Sequence, residues 1–433
     1  MSAPSLSELA RTFAKIGLVS FGGPAGQIAL MHKILVDEKK WLEEKQFLHA
    51  LNFCMLLPGP EAMQLATYAG WLLQGLRGGL IAGLLFVIPG SLVLLALSAA
   101  YVFLGDQTWM AGLLFGLKAA VLALVLEALL RVSKRALKDR FAYGLAVFAF
   151  IAIALLKAPF PLIILLAALL GAARQRYGGD GKAVQSEAVP AFVKVNHAAH
   201  FLNVLAWLAV WLVPLGLLLW LNPAGGFFKD AALFFSKAAV VTFGGAYAVL
   251  VYAGQQAVEV YGWLRPGEMV TGLGLAETTP GPLILVLVFI AFVGGSRVPG
   301  LDPLTGGVLG GVTALWFTFV PCFLWVFAGA PYIERLRQVR WLSAALAAVT
   351  AAVVGVIANL AVWFGLHVLF GNFNESMIGP FHIPLLIWGQ FDTWSALIAL
   401  GAGVALLRFH VNLLWVIGVS ALAGVALHVG GIA

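Results

Sequence analysis

Long apolar stretches separated by short polar loops run along most of the chain. Four of them, at about 79–104, 110–130, 199–221 and 305–331, are long enough for a helix to cross the roughly 30 Å hydrocarbon core of a bilayer. Other stretches are cut into shorter pieces by glycine, which tolerates unusual dihedral angles, and by proline, which lacks an N–H. The pattern predicts an all-α integral membrane protein in which some helices are broken.

The interruptions occur twice at a constant spacing. A first set of residues is found again 222 positions later: Lys15, Phe21-Gly22-Gly23, Trp41 and Pro58-Gly59-Pro60. The second set is Lys237, Phe243-Gly244-Gly245, Trp263 and Pro280-Gly281-Pro282. A spacing shared by every pair indicates an internal duplication. Broken apolar segments at matching places in two halves are typical of secondary transporters.

Short loops rich in Lys and Arg orient the segments. By the positive-inside rule, the loops 131–140, 174–194 and 334–340 face the cytoplasm. Counting spans back from 131–140 places Arg77 inside as well. The stretch from Gln46 to Arg77 must then enter and leave on one side, so it is predicted to form a re-entrant hairpin.

The tip of the hairpin over Gln46 to Arg77 is predicted at Pro58-Gly59-Pro60. The same reasoning predicts a second hairpin over 6–36, with its tip at Phe21-Gly22-Gly23-Pro24. The span 199–221 crosses outward, so the second copy begins outside while the first begins inside, and the two repeats are predicted to be inverted. The region 11–77 carries seven Lys or Arg against four in 229–297, as expected if the second region faces outward.

The predicted fold is an all-α membrane protein made of two inverted-topology repeats with re-entrant or broken helices. It has roughly ten to thirteen membrane segments. An N-terminal repeat covers 1–173, a cytoplasmic linker 174–198, and an inverted C-terminal repeat 199–433. The last spans are predicted to begin at about Trp341, Leu385 and Val411.

Composition supports a membrane protein and excludes several other classes. The 433 residues are 62% hydrophobic and only 10% charged, too few polar side chains to coat a water-soluble globule. The net charge of +7 is spread over loops beside the spans, so no nucleic-acid partner is expected. Cys54 and Cys322 lie in apolar segments without ligand spacing, and no phosphate-binding loop is present, so no metal, cofactor or ATP hydrolysis is predicted.

The broken helices are the predicted binding site. A break inside a bilayer leaves backbone groups that lipid cannot satisfy, so it must face protein or a water-filled cavity. Each break presents a helix N-terminus, whose free N–H groups and dipole favour an anion. The residues predicted to bind substrate are Lys15, Gly22, Gly23, Pro24, Gln27, Gly59, Pro60, Gln64, Lys237, Gly244, Gly245, Thr278, Thr279 and Gly281.

Four charged side chains beside the breaks have two interpretations each. Lys15 and Lys237 either bind the anion or extend their ammonium groups to a membrane interface. Glu61 and Glu277 either stabilise the helix ends or take up a proton that couples anion movement to the proton gradient. The second copy has Ala246 and Leu283 where the first has Pro24 and Glu61, so the halves are not equivalent.

Taken together, these motifs resemble the chromate ion transporter family in its long two-domain form. The resemblance covers essentially the whole chain and rests on two blocks in each half: Phe21-Gly22-Gly23-Pro24, the run from Leu57 to Trp71 (LPGPEAMQLATYAGW), Phe243-Gly244-Gly245 and Thr279-Pro280-Gly281-Pro282. It implies export of chromate across the bacterial inner membrane by a multi-pass protein, with chromate resistance as the result and sulfate as competitor. Its motif positions carry over as Gly22, Gly23, Pro24, Pro58, Gly59, Pro60, Glu61 and Gln64.

Three functions remain open from sequence. The first is chromate export coupled to an ion gradient, and the second is uptake of sulfate or another tetrahedral oxyanion, which would satisfy the same N–H groups. The third is a membrane-embedded enzyme that reduces chromate, but it would need a redox-active cysteine pair, a metal cluster or a flavin site, and the sequence shows none. The expected partners are the anion and the lipid bilayer, and a homodimer is compatible with the sequence.

Overall fold

The structure is a computed structural model that describes residues 4–21, 23–177, 197–221, 226–243, 246–332, 339–371, 374–379 and 381–432. Gly22, Gly244, Gly245, the loop 333–338 and most of the predicted linker 174–198 lie outside these ranges. The predicted all-α architecture is confirmed, and the described chain adds one two-stranded sheet. Five of the described helices are long and apolar enough to cross a membrane. Large apolar side chains such as Trp220 and Val213 are mostly exposed, as expected for a surface in contact with lipid.

The first repeat contains seven α-helices in the residues that the structure describes. Their bounds are α1 Leu6–Val19, α2 Gly23–His32, α3 Glu44–Cys54, α4 Glu61–Leu104, α5 Thr108–Ala136, α6 Arg140–Ala154 and α7 Phe160–Tyr177. A π-helical segment, Lys33–Glu38, continues α2.

The second repeat contains nine helices in its described part. Their bounds are α8 His197–Leu221, α9 Phe227–Val241, α10 Ala246–Gln255, α11 Pro266–Thr278, α12 Val286–Ser296, α13 Pro303–Gly329, α14 Arg340–Leu369, α15 Thr393–Leu407 and α16 Leu413–Val429. The π-helical segment Gln256–Val260 continues α10, at the place equivalent to the one after α2. The helix breaks therefore fall where the glycine and proline clusters predicted them.

Helix α4 consists of two antiparallel helices, because the chain reverses direction between them. Gln74 (φ −142°, ψ 25°) and Gly75 (φ 61°, ψ −151°) leave helical geometry and divide it into 61–73 and 76–104. A Cβ atom on Gly70 would lie 2.6 Å from that of Ala82, which shows that the two parts pack side by side. Gly75 permits the reversal because its positive φ costs a glycine little.

Two helical hairpins in the first repeat open toward one end of the molecule. We call α1 with α2 hairpin A and α3 with 61–73 hairpin B. In hairpin A, Lys39 Nζ lies 3.2 Å from Glu8 Oε1, so the outer ends of its arms meet. In hairpin B, the Phe53 and Tyr68 rings lie 5.1 Å apart on either side of the Pro58-Gly59-Pro60 tip. Both hairpins thus double back at their predicted breaks.

The second repeat has two equivalent hairpins. We call α9 with α10 hairpin C and α11 with α12 hairpin D. Phe227 at the start of α9 contacts Trp263 beyond α10, with ring centroids 5.1 Å apart. Gly272 packs against the ring of Phe289 across hairpin D. Each arm pair is therefore antiparallel.

The second part of α4, 76–104, joins the two sets of open ends. At its first end Gln74 Nε2 donates to Pro4 O at 2.5 Å, beside the open end of hairpin A. Near its last turn Tyr101 Oη donates to Glu268 Oε1 at 3.2 Å, at the open end of hairpin D. Twenty-nine helical residues span about 43 Å at 1.5 Å per residue. The open ends of hairpins A and D therefore lie near opposite ends of this helix.

The C-terminal segment differs from the sequence expectation at one point. Leu385, predicted to begin a span, lies in strand β2 (Phe381–Leu385), which pairs antiparallel with β1 (Asn374–Ile378). The helix begins later, at Thr393, because Asp392 Oδ1 accepts the N–H groups of Trp394 and Ser395 and caps it. The other two predicted starts fall within two residues of α14 and α16.

Candidate functional site

The tips of the four hairpins contact each other in two equivalent pairs. Gly59 N–H, at the tip of hairpin B, donates to Thr242 O of hairpin C at 2.8 Å. Gly281 N–H, at the tip of hairpin D, donates to Ser20 O of hairpin A at 2.9 Å. Donors and acceptors are each related by the 222-residue offset. The two copies therefore make the same contact with each other in both directions.

Tip glycines adopt conformations that other residues avoid. Gly59 has φ 120°, Gly281 has φ 91° and Gly23 has φ 70°. A Cβ atom on Gly59 would lie 2.8 Å from Cys322 Sγ and 2.9 Å from Gln64 Nε2, closer than side chains normally approach. Glycine is needed here for its conformation and for its size.

Two buried glutamines hold the tips through their amide nitrogens. Gln27 Nε2 donates to Gly281 O at 2.5 Å, and Gln64 Nε2 donates to Pro58 O at 2.6 Å. The carbonyl acceptors fix the orientation of both amides, because the opposite orientation would place two oxygens together. Gln27 Oε1, Gln64 Oε1 and Ser20 Oγ are buried without a hydrogen-bond partner among the described residues. Buried acceptors of this kind are normally satisfied, so the tips have capacity for a water, a proton donor or a hydrated ligand.

The other tip residues are placed as follows. Pro60 precedes α4 as its N-cap, Glu61 is the first residue of α4, and Pro24 lies in the first turn of α2. The hydroxyl groups of Thr278 and Thr279 donate to Leu275 O and Ala276 O, at 2.7 Å and 2.9 Å, so their protons are engaged by α11 itself.

The two lysines lie away from the tip contacts. Lys15 and Lys237 are exposed, on α1 and α9. Neither makes a hydrogen bond or ion pair with another residue in the described part of the chain. Each is six residues before its Phe-Gly-Gly, about 9 Å along the helix. Their role in binding substrate stays a prediction.

Two cavities adjoin the tips and share one wall residue. The first, of about 420 Å³, lies beside hairpin A and is lined by Val19, Phe21, Gly26, Leu30, Asn412, Leu413 and Leu414. The second, of about 220 Å³, reaches the end of α11 and is lined by Leu124, Glu127, Ala128, Arg131, Glu277, Leu406, His410, Val411 and Leu413. Leu413 contributes to both, so the start of α16 forms their common wall.

A charged cluster closes the open end of hairpin D. Glu268 accepts from Arg297 Nη1 at 3.0 Å, from Arg297 Nη2 at 2.5 Å and from Arg265 N–H at 2.7 Å, in addition to Tyr101. No sequence motif assigns a role to Glu268 or Arg297. The position of Glu268, three residues after Arg265, could have identified it as a helix-capping residue. Its pairing with Arg297 depends on the tertiary fold.

Replacing Glu268 with glutamine is expected to lower the free energy of unfolding by about 1–3 kcal/mol, because it breaks a mostly buried ion pair. This loss of stability is smaller than the one expected for a fully buried ion pair, because the Arg297 side chain is 42% exposed and remains hydrated. Thermal unfolding in detergent measures the change. Glu8→Gln is the control: it breaks the exposed Glu8–Lys39 pair and should cost less than about 1 kcal/mol. Equal losses in both variants would contradict the prediction.

Comparisons with known proteins identify the family of this chain. The profile of the chromate transporter family matches residues 7–172 and 229–425. A chromate transport protein of Pseudomonas aeruginosa is 31% identical, over 82% of this chain and 79% of its own length. One from Cupriavidus metallidurans is 27% identical, over 83% and 82%.

A probable chromate transport protein of Synechococcus elongatus is also 27% identical, over 84% of this chain and 85% of its own. No solved structure matches the chain. The family profile covers most of both copies, including the four hairpin tips and the residues that line the two cavities. The chain therefore belongs to the chromate transporter family.

Proposed function

We propose that this protein exports chromate, a tetrahedral oxyanion dianion, across the bacterial inner membrane and is driven by an ion gradient. Export would confer chromate resistance. The observation that carries the proposal is the reciprocal pair of hydrogen bonds, Gly59 to Thr242 and Gly281 to Ser20, which brings the breaks of both copies together. The names of the relatives from Cupriavidus metallidurans and Pseudomonas aeruginosa support chromate as the substrate.

Inverted repeats are part of the proposal. A contact made in both directions between equivalent residues is what a twofold axis between the copies produces. The open ends of hairpins A and D lie at opposite ends of 76–104, which supports an axis in the membrane plane.

The first copy is proposed to open toward the cytoplasm. Helix α5 follows the outer end of α4 and returns to the side of Gln74, where it ends in Lys134 and Arg135. Basic residues at a helix end favour the cytoplasmic side.

The anion is proposed to bind at the starts of the second arms, where N–H groups of α2 and α4 have no partner within the helix. The N–H groups of Gly59 and Gly281 are donated to the other copy in this conformation, so substrate passage would require the tip pairs to part. Rocking of one repeat against the other would break and remake these two bonds. The predicted tip residues, including Gly22, Gly244 and Gly245 outside the described ranges, belong to this proposed site.

Flux measurements in proteoliposomes test the proposal. Purified protein is reconstituted, and chromate and sulfate movement is followed under imposed pH gradients of both signs. Accelerated chromate movement that responds to the gradient supports ion-coupled transport. Sulfate uptake without chromate movement would favour the second candidate function, and no flux of either anion would refute oxyanion transport.

Loss of either lysine is expected to reduce chromate flux at least tenfold if the ammonium groups attract the anion into the site. The variants are Lys15→Ala and Lys237→Ala, measured by flux in the same vesicles. The matched arginine variants keep the charge and should retain most of the flux. Lys33→Ala removes an exposed lysine on the π-helical segment and is the control that should leave the flux unchanged. Wild-type flux in both alanine variants would remove the pair from the mechanism.

A further inference from the structure

The smaller cavity connects a buried carboxyl group to one side of the protein. Glu277, at the end of α11, is 5% exposed and lines this cavity. Along α5 the lining residues Leu124, Glu127 and Arg131 occupy successive turns on one face, so the cavity follows α5 toward its basic end. His410 is exposed and lines the same cavity from the loop after α15.

This cavity adjoins the place where two hairpin tips are bonded. Glu277 lies four residues before Gly281, whose N–H donates to Ser20 O. The larger cavity reaches Phe21, next to Ser20, from the other side of Leu413. Glu277 and Phe21, which lie close in the chain to Gly281 and Ser20, therefore line two cavities that meet at Leu413.

The charged groups that line this cavity together with Glu277 come from two elements. Arg131 and Glu127 form an ion pair on α5, as their four-residue spacing predicts, so this pair adds little net charge. His410 is the other titratable residue in the lining. Lys118, also on α5, lies at the opposite end of α11, with its Nζ 3.7 Å from the position of a Cβ atom on Gly267. Because the Glu127–Arg131 pair is nearly neutral, a proton on Glu277 would change the net charge of the cavity lining.

We propose that Glu277 exchanges a proton with the cytoplasm through this cavity and so links oxyanion movement to cytoplasmic pH. The proton passes between a Glu277 carboxylate oxygen and water in the cavity, past Arg131 and His410. An ionised Glu277 repels a dianion at the adjacent tips, so protonation and oxyanion occupancy are thermodynamically linked. The inference rests on the proposed transport function and assigns its proton coupling to the second copy.

The first experiment measures oxyanion flux in proteoliposomes as the pH on the cytoplasmic side is varied. One linked proton changes an equilibrium by about tenfold per pH unit in its titration range. We expect such a dependence in the wild type and less than about a twofold change per unit in Glu277→Gln. Glu38→Gln, which removes a carboxylate near the same membrane side, is the control and should behave as the wild type.

Wild-type pH dependence in Glu277→Gln would overturn the inference while leaving oxyanion transport intact. So would loss of the dependence in Glu61→Gln with Glu277→Gln unaffected. No flux in the wild type at any pH would instead refute the proposed function. The two failures are therefore distinguishable.

A second measurement does not depend on the folding of the Glu277 variant. Leu413→Cys places a thiol on the shared wall of the cavities, and a membrane-impermeant anionic thiol reagent probes it in vesicles of each orientation. We expect labelling from the cytoplasmic side only. Val419→Cys, on the exposed face of the same helix where lipid should cover it, is the control and should resist labelling. Labelling of Leu413→Cys from the outside only, or from neither side, would overturn the proposed route.

Discussion

Replacing Gly90 with alanine is expected to abolish transport and to destabilise the protein by about 1–3 kcal/mol or more, the usual cost of overpacking. A Cβ atom at this position in α4 would overlap the carbonyl oxygen of Pro280 and lie 2.8 Å from Leu285 Cδ1. The obstructing oxygen belongs to the backbone at the tip of hairpin D, so it can yield only if the tip moves. Such a shift would strain the Gly281–Ser20 contact directly.

Flux in proteoliposomes and thermal unfolding in detergent measure the two effects. Gly144→Ala is the matched control, because Gly144 also lies in a helix but has open space around its Cβ position. Alanine there should stabilise the helix by up to about 1 kcal/mol through its higher helix propensity. Wild-type flux and stability in Gly90→Ala would show that the tip does not rest on α4 as described.

Replacing Gly59 with alanine is expected to reduce flux at least tenfold. Its φ of 120° is unfavourable for any residue with a Cβ atom, and that atom would also approach Cys322 Sγ at 2.8 Å. Gly75→Ala separates the two causes. Gly75 also has positive φ but nothing lies near its Cβ position, so the variant should show only the conformational cost of about 1–3 kcal/mol.

A double substitution tests the steric part at Gly59. Combining Gly59→Ala with Cys322→Ala removes the sulfur atom, and we expect it to restore part of the flux lost in Gly59→Ala alone. The remaining deficit should reflect backbone conformation and the contact with Gln64. A double variant no better than Gly59→Ala would show that crowding by Cys322 contributes nothing.

The hairpin tips are a part of the fold that local sequence predicts. Glycine and proline act on the backbone of their own residue, so the breaks at Phe21-Gly22-Gly23 and Pro58-Gly59-Pro60 could be located without knowledge of the fold. Their recurrence at 222 residues located the breaks of the second copy as well. The Glu127–Arg131 pair was also predictable, because it depends only on the spacing of one helix.

Several features of the candidate site depend on residues far apart in the chain. The bond from Gln27 to Gly281 joins residues 254 positions apart, and the Glu268–Arg297 pair closes a hairpin whose packing the sequence does not specify. The strands 374–378 and 381–385 were missed because five-residue segments beside apolar runs give a weak signal.

The sequence by itself determined the membrane setting, the duplication and the positions of the broken helices, because hydropathy and the conformational limits of glycine and proline are local properties. Only the tertiary structure decided which tips bond to each other, that Gly90 and Cys322 pack against them, and that Glu277 lines a cavity beside Arg131 and His410. Those contacts arise when whole helices pack, and their geometry is fixed by shape complementarity between distant segments rather than by any one of them.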